Sequence, residues 1–187
     1  MLTATVFDTH VEQLFDRIKQ LHSLLTKAGV PYRIVGGMAV FMHVSERDPL
    51  RARLTADVDA AIERRYLPTV IEAARKVGWV YRDVAGVEML VDAEQPKARS
   101  AVHLVFLHEK VRPEYEEAVP ASVAVETREG ILLAPVEDLV RMKLTSFRLK
   151  DKVHLQDMDA VGLISEETEA GLAELLRRRL SEVRASE

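Results

Sequence analysis

Two short motifs in the stretch Val35–Ile62 constrain this chain more than any other feature: Gly36-Gly37 and Asp57-Val58-Asp59. The glycines follow Tyr32-Arg33-Ile34-Val35, which reads as a buried strand, and precede Met38–Val44, which reads as a short apolar helix. A strand-to-helix turn without side chains lets phosphate oxygens reach backbone N–H groups, and the helix start adds a favourable dipole. The same glycines could instead serve only to relieve backbone strain. The acidic pair sits in Leu54–Ile62, an apolar run that reads as the next strand. Residues i and i+2 of a strand share a face, so Asp57 and Asp59 present two carboxylates together while Val58 turns to the core. Like charges this close repel unless a cation lies between them. Magnesium suits such a pair, because it takes oxygen ligands and shares its shell with phosphates. An isolated Asp-x-Asp is usually two solvated acids, but the apolar flanks Leu54, Ala60, Ala61 and Ile62 favour metal binding here.

The rest of the chain supplies a frame for that pair. With 187 residues, 48% of them hydrophobic, it can bury an ordinary core as one domain or one domain with an appendage. It contains no cysteine, which excludes disulfides, zinc-thiolate sites and thiol nucleophiles and fits a cytoplasmic setting. No run approaches the ~18 apolar residues of a membrane helix, so no membrane association is expected. A net charge of −4 argues against an obligate polyanion binder, although Arg47, Arg51 and Arg53, and then Arg64 and Arg65, form local basic clusters.

Apolar spacing predicts a first helix over Thr9–Ala28, with Thr9 and Glu12 resembling a capping box and Gly29 and Pro31 closing it. After Leu54–Ile62 come a helix over Leu67–Val77 and strands at Trp79–Arg82 and Val87–Val91. Asp92–Arg99 reads as a loop, Ser100–Leu107 as a strand, and Val123–Leu133 as a hairpin turning at Glu129-Gly130. Beyond Pro135 three helices are expected, at Val136–Phe147, Lys150–Val161 and Glu166–Val183. The expected fold class is α/β (α+β): a mixed sheet flanked by helices over residues 1–134, followed by a helical segment over 135–187 packed on it.

Two polar groups fall on apolar faces. Lys143 projects near the middle of the stripe formed by Val136, Leu139, Val140, Leu144 and Phe147. A buried ammonium needs a partner or a polar cavity, so Lys143 is expected to face acids or phosphates; the alternative is a packed stem whose head reaches water. On the following helix Lys150, His154, Asp157 and Val161 share a face. Lys150 is assigned to ligand contact, and His154 and Asp157 to holding the helix on the core. Arg177–Arg179 is read as a solvated helix end.

At this point the sequence resembles the nucleotidyltransferase superfamily, whose signature is hG[GS] at a strand-to-helix turn and DxD on the next strand. Val35-Gly36-Gly37 and Asp57-Val58-Asp59 match it. Arg53-x-Thr55-x-Asp57-Val58-Asp59 is similar, more narrowly, to the stand-alone prokaryotic branch that includes the AbiEii-like toxins. Met142-Lys143-Leu144, Arg148-Leu149-Lys150-Asp151 and His154-Leu155-Gln156-Asp157 fill its later positions. The resemblance implies transfer of an NMP from an NTP, with Mg2+ or Mn2+, to an acceptor hydroxyl on tRNA, protein or a small molecule, as in a toxin–antitoxin system with an antitoxin partner. On that reading Asp57 and Asp59 hold the metals, Gly36, Gly37, Arg53, Thr55 and Lys150 bind the NTP, and Lys143 neutralises phosphate charge.

One position departs from the superfamily. A third carboxylate is expected on a later strand, where Ala101–Phe106 places His103 instead. A neutral histidine could ligate a metal, accept a proton, or simply be hydrogen-bonded in the core. Glu88 could supply the missing carboxylate under a different strand order. The alternative function is therefore a nucleotide- or RNA-binding module that kept the fold and lost catalysis. A glycosyltransferase use of the Asp-x-Asp pair fits less well, since no N-terminal nucleotide-binding βα repeat precedes it.

Overall fold

In the computed structural model, residues 2–55, 57–94 and 101–186 are described, with side chains from residue 11 onward. The described elements are α1 (Leu2–Lys27), β1 (Tyr32–Val35), α2 (Gly36–Arg47), β2 (Val58–Ile62), α3 (Leu67–Lys76), β3 (Trp79–Val84), β4 (Val87–Asp92), β5 (Val102–Phe106), β6 (Val125–Glu126), β7 (Leu132–Leu133), α4 (Val136–Ser146), α5 (Leu149–Ala160), α6 (Glu166–Ala170) and α7 (Glu174–Ala185). The strands form one mixed sheet in the order β3-β4-β5-β2-β1-β7-β6.

The sheet register positions the site. β1 runs antiparallel to β2, setting Val35 opposite Asp59, and β2 runs parallel to β5, setting Asp59 opposite His103. Cross-strand partners point to the same face, so Asp59 and His103 face the same way. β4 pairs antiparallel to β5, with Glu88 opposite Leu104 and Met89 opposite His103. Glu88 therefore takes the other face and does not supply the missing carboxylate. Its carboxylate instead accepts from Arg64 at 2.9 Å and from the Tyr81 hydroxyl at 2.7 Å.

Helices cover the sheet because each carries an apolar stripe. Ile18, Leu21 and Leu25 of α1 are fully buried, and α1 packs on α3 and β2. α2 packs on α4 and α5; Met38, Ala39 and Val40 of α2, Leu139 and Leu144 of α4 and Leu155 of α5 are all buried. α7 closes this group against α4 and α5 through Leu176, Leu180 and Val183.

Several sequence expectations need correction. α1 starts at Leu2, so Thr9 lies inside the helix and not at its start. The strand expected from Leu54 begins only at Val58, which leaves Thr55 and Asp57 on the connection that enters it. The single helix expected over Glu166–Val183 is two, interrupted after Ala170 at Gly171. Ser165 caps the first of them, accepting the Thr168 amide at 3.1 Å. Arg179 is no solvated end: it donates to the carbonyls of Leu144 at 2.7 Å and Thr145 at 3.0 Å. A guanidinium satisfies there the orphan carbonyls that every helix C-terminus leaves. Most of the expected loop Asp92–Arg99 lies outside the described residues.

Candidate active site

The glycine turn is shaped by what stands against it. Gly36 has φ +71°, the left-handed region that favours glycine, and a Cβ there would fall 2.0 Å from Asp59 Oδ2. Gly37 has no such φ, yet a Cβ on it would meet Thr55 Oγ1 at 2.8 Å and His154 Cε1 at 3.1 Å. Absent side chains thus let β2, its entering connection and α5 all approach the turn. Among the described residues no side chain caps the N-terminus of α2, which starts at this turn.

A cavity of about 590 Å³ opens over this turn. Gly36, Gly37, Thr55, Asp57, Asp59, His103, Lys143 and Lys150 all border it, so the structure gathers nearly every residue singled out from the sequence. Arg53 is the exception. Its guanidinium donates to Asp157 at 3.0 Å, and it does not border the cavity. Ser146, Arg148 and His154 border it as well, and so does a wall far along the sheet face formed by the β3–β4 turn and residues 111–115. None of these was singled out as a ligand contact, because their approach is set by tertiary folding.

The cationic side of the cavity is held by one buried acid. Asp151, with no exposed side-chain surface, accepts from Lys143 Nζ at 3.0 Å, Ser146 Oγ at 2.8 Å and Arg148 Nε at 2.8 Å. It also accepts the Arg148 amide at 3.2 Å, at the start of α5. Burial alone would push this carboxyl up; the Arg148 hydrogen bond, the Lys143 charge and the Ser146 hydroxyl more than reverse it, leaving it well below the usual carboxylate range. The chain reaches this arrangement through Phe147, which ends α4 in a left-handed conformation (φ 48°) and carries Lys152 and Arg179 over its ring. Lys143 thus faces an acid at the edge of the cavity, one of the two outcomes its stripe position allowed.

On the carboxylate side, His103 Nδ1 lies 3.3 Å from Asp59 Oδ1. That hydrogen bond raises the imidazole above its ordinary value against the opposing effect of burial. Across the cavity His154 behaves oppositely. Burial and then the Lys143 charge depress it to about 4, and its Nδ1 is buried without a hydrogen-bond partner among the described residues. His154 is therefore neutral near neutral pH.

Among the described residues no group of three or more His, Asp or Glu side chains is placed to hold a metal alone. Two carboxylates beside an open cavity still fit magnesium, which ordinarily takes one or two carboxylates and completes its shell with substrate phosphates and water.

The mixed sheet flanked by helices matches the fold of solved nucleotidyltransferase structures. The solution structure of the antibiotic-resistance factor ANT(2'')-Ia, an aminoglycoside nucleotidyltransferase, superposes with a TM-score of 0.55 at 14% identity, over 96% of this chain and 95% of that one. A crystal structure of ANT(2'')-Ia in complex with adenylyl-2''-tobramycin gives 0.47 at 11% identity, over 91% and 98% of the two chains. The Megavirus polyadenylate synthase gives 0.43 at 11% identity, over 93% of this chain and 34% of that one. No protein-family model and no curated protein sequence matches the chain.

Proposed function

We propose that this chain is a nucleotidyltransferase that moves an NMP from an NTP to an acceptor hydroxyl with Mg2+ or Mn2+ bound. The supporting observation is the convergence, on one cavity, of the uncapped start of α2 at Gly36-Gly37, the carboxylates Asp57 and Asp59, and the cations Lys143, Arg148 and Lys150. Uncapped amides and a helix dipole suit the terminal phosphates. The three cations suit the charge that develops on departing pyrophosphate. Asp57 and Asp59 would hold the divalent ion, which supplies charge neutralisation and orients the phosphates.

His103 takes the proton. With Nδ1 turned to Asp59, the imidazole keeps its proton on that nitrogen and offers Nε2 as the acceptor, which favours a base over a metal ligand. The acceptor oxygen bonds the α-phosphorus as the bond to the α,β-bridging oxygen breaks. Pyrophosphate leaves with that electron pair, and the hydroxyl proton passes to His103. The absence of cysteine agrees with a reducing cytoplasm, and among the described residues no helix is long and apolar enough to cross a membrane.

The test is incubation with each α-labelled NTP, Mg2+ or Mn2+, and total RNA or cell lysate, the RNA arm covering the tRNA acceptors that the toxin-like resemblance implies. Label should be transferred by the natural protein and lost in the folded Asp57→Ala/Asp59→Ala variant. Equal incorporation by that variant would overturn the mechanism. Tight NTP binding by calorimetry without transfer to any acceptor would leave the binding-module reading.

A further inference from the structure

The cavity is longer than its charged part, and its two ends differ in chemistry. Across the strand order, Gly36-Gly37 stand at β1, Asp57 and Asp59 at β2, His103 on β5, and the β3–β4 turn beyond. Neighbouring strands are spaced about 4.8 Å apart, so these groups succeed one another laterally. In phosphoryl transfer the attacking and leaving oxygens lie roughly in line through the phosphorus. Pyrophosphate over Gly36-Gly37 therefore directs the incoming hydroxyl from the β5 and β4 side, past His103. On the reading proposed above, that end of the cavity is where the acceptor sits.

Its wall is apolar. Val87, 48% exposed, and Val111, 49% exposed, border the cavity together with Pro113 and Tyr115. Half-exposed valines on two separate segments, turned to one cavity, offer apolar surface that a ligand can cover. Glu88, whose side chain takes the opposite face of the sheet, is held there by Arg64, which donates to it at 2.9 Å and lies 3.6 Å over the Phe106 ring. Among the described residues bordering this end, Arg112 is the remaining charge, and its nearest acid, Glu114, is 3.9 Å away. Among the described residues that border this end, a polycationic acceptor would find no acidic side chain on the cavity face. A nucleic-acid backbone, which calls for several cations along its path, would find one arginine among the described residues at this end.

We propose that the acceptor is a small, uncharged hydroxylated compound with an apolar or aromatic face, seated between the β3–β4 turn and residues 111–115. The stacking surface is Tyr115 and the contact surface is Val87 and Val111. The chemistry of transfer is unchanged: the acceptor oxygen joins the α-phosphorus, pyrophosphate leaves, and His103 receives the proton.

Calorimetry with a non-hydrolysable NTP analogue and Mg2+ first establishes nucleotide binding. Label transfer from each α-labelled NTP is then measured with three acceptor sets: a library of uncharged hydroxylated aromatic and alicyclic compounds that includes chloramphenicol, the polycation tobramycin, and total tRNA. The expected result is transfer to members of the uncharged set, with Val87→Glu and Val111→Glu each raising the acceptor KM at least tenfold and leaving NTP affinity unchanged. Nucleotide binding with transfer confined to tobramycin or tRNA overturns this acceptor class but keeps the nucleotidyltransferase reading. Nucleotide binding with no transfer to any of the three sets overturns the acceptor class too. Failure to bind the NTP analogue overturns both.

Discussion

Asp59 occupies the space that a side chain at Gly36 would need: its Oδ2 lies 2.0 Å from where a Cβ would stand. Glycine at this position thus meets two demands, a φ of +71° and a carboxylate pressed against the turn. Gly36→Ala is expected to lose several kcal/mol, about 1–2 kcal/mol from the left-handed backbone and the rest from displacing Asp59. Urea unfolding should show the loss, and metal-dependent NTP binding should fall with it. Adding Asp59→Gly to Gly36→Ala should recover much of the stability and none of the NTP binding, because the two changes share one contact. If the double variant is as unstable as the sum of its parts, the contact is not what fixes this glycine.

Lys143 and Asp151 form a buried pair, 6% and 0% exposed as residues. Removing one partner of such a pair leaves an uncompensated charge, which costs roughly 3–5 kcal/mol. Lys143→Met and Asp151→Leu should each destabilise the chain on that order, as read from denaturant midpoints. The double variant Lys143→Met/Asp151→Leu should be more stable than the Asp151→Leu single, since it buries no lone ammonium. A strictly additive result would show that Asp151 serves Arg148 and Ser146 more than Lys143.

The identity of that partner shows where the sequence stopped being informative. Periodicity put Lys143 on the buried stripe of its helix, because burial follows a spacing that local chemistry fixes. It did not choose between an acid and a phosphate, because Asp151 comes within 3.0 Å only through the left-handed turn at Phe147. Gly36-Gly37, Asp59 and His103 were legible together because a strand, a turn and a parallel neighbour carry them in register. Arg53 was assigned to the NTP by motif position, whereas Asp157, far along the chain, holds its guanidinium. The Val87 and Val111 wall was invisible for a similar reason. Each is an unremarkable valine in its own segment, and only the sheet brings the two segments to one cavity. The break at Gly171 was missed because apolar spacing continues through it to Leu172 and Leu176.

The two titrating groups near Lys143 set separate acid windows. His154 has a folded value depressed to about 4 against an ordinary 6.5. Above pH 6.5 the imidazole is neutral in both folded and unfolded chains and contributes no pH dependence. As pH falls from 6.5 to about 4 the unfolded chain gains a proton that the folded chain refuses, so stability declines. The decline is on the order of 1–3 kcal/mol, allowing for the partial exposure of the ring. Asp151, depressed by its partners, contributes stability that is complete above its ordinary value of 3.8 and is lost at lower pH. Urea unfolding from pH 8 down to about pH 2 should therefore show two successive losses, the second beginning below the ordinary value of Asp151. His154→Gln should flatten the upper one and leave the lower one in place. A slope between pH 6.5 and 4 that survives in His154→Gln would assign it to another group.

Arg179 closes the C-terminal end of α4. It donates to the carbonyls of Leu144 and Thr145, and its guanidinium lies 5.0 Å from the centre of the Phe147 ring. Arg179→Ala is expected to cost about 1–3 kcal/mol, from two hydrogen bonds made by a charged donor and a cation–π contact. Arg179→Lys should recover only part, because one ammonium cannot present the planar fork. Equal stability of Arg179→Ala and the natural protein would mean that water caps α4 equally well.

His103 stands opposite Asp59 in register, with 3.3 Å between Nδ1 and Oδ1. Replacing it by aspartate would put two carboxylates where a donor and an acceptor now meet. Without a divalent ion, His103→Asp should lower the melting temperature, because like charges this close disfavour the folded state. With Mn2+ added, the same variant should gain more stability than the natural protein, since a ligand that binds only the folded state stabilises it in proportion to its occupancy and a third carboxylate raises affinity. The measurement is a pair of thermal melts, with chelator and with saturating Mn2+, on both proteins. A metal-dependent shift no larger in His103→Asp than in the natural chain would mean that the position facing Asp59 lies outside reach of the ion. The metal would then have to be held by Asp57 and Asp59 with substrate alone.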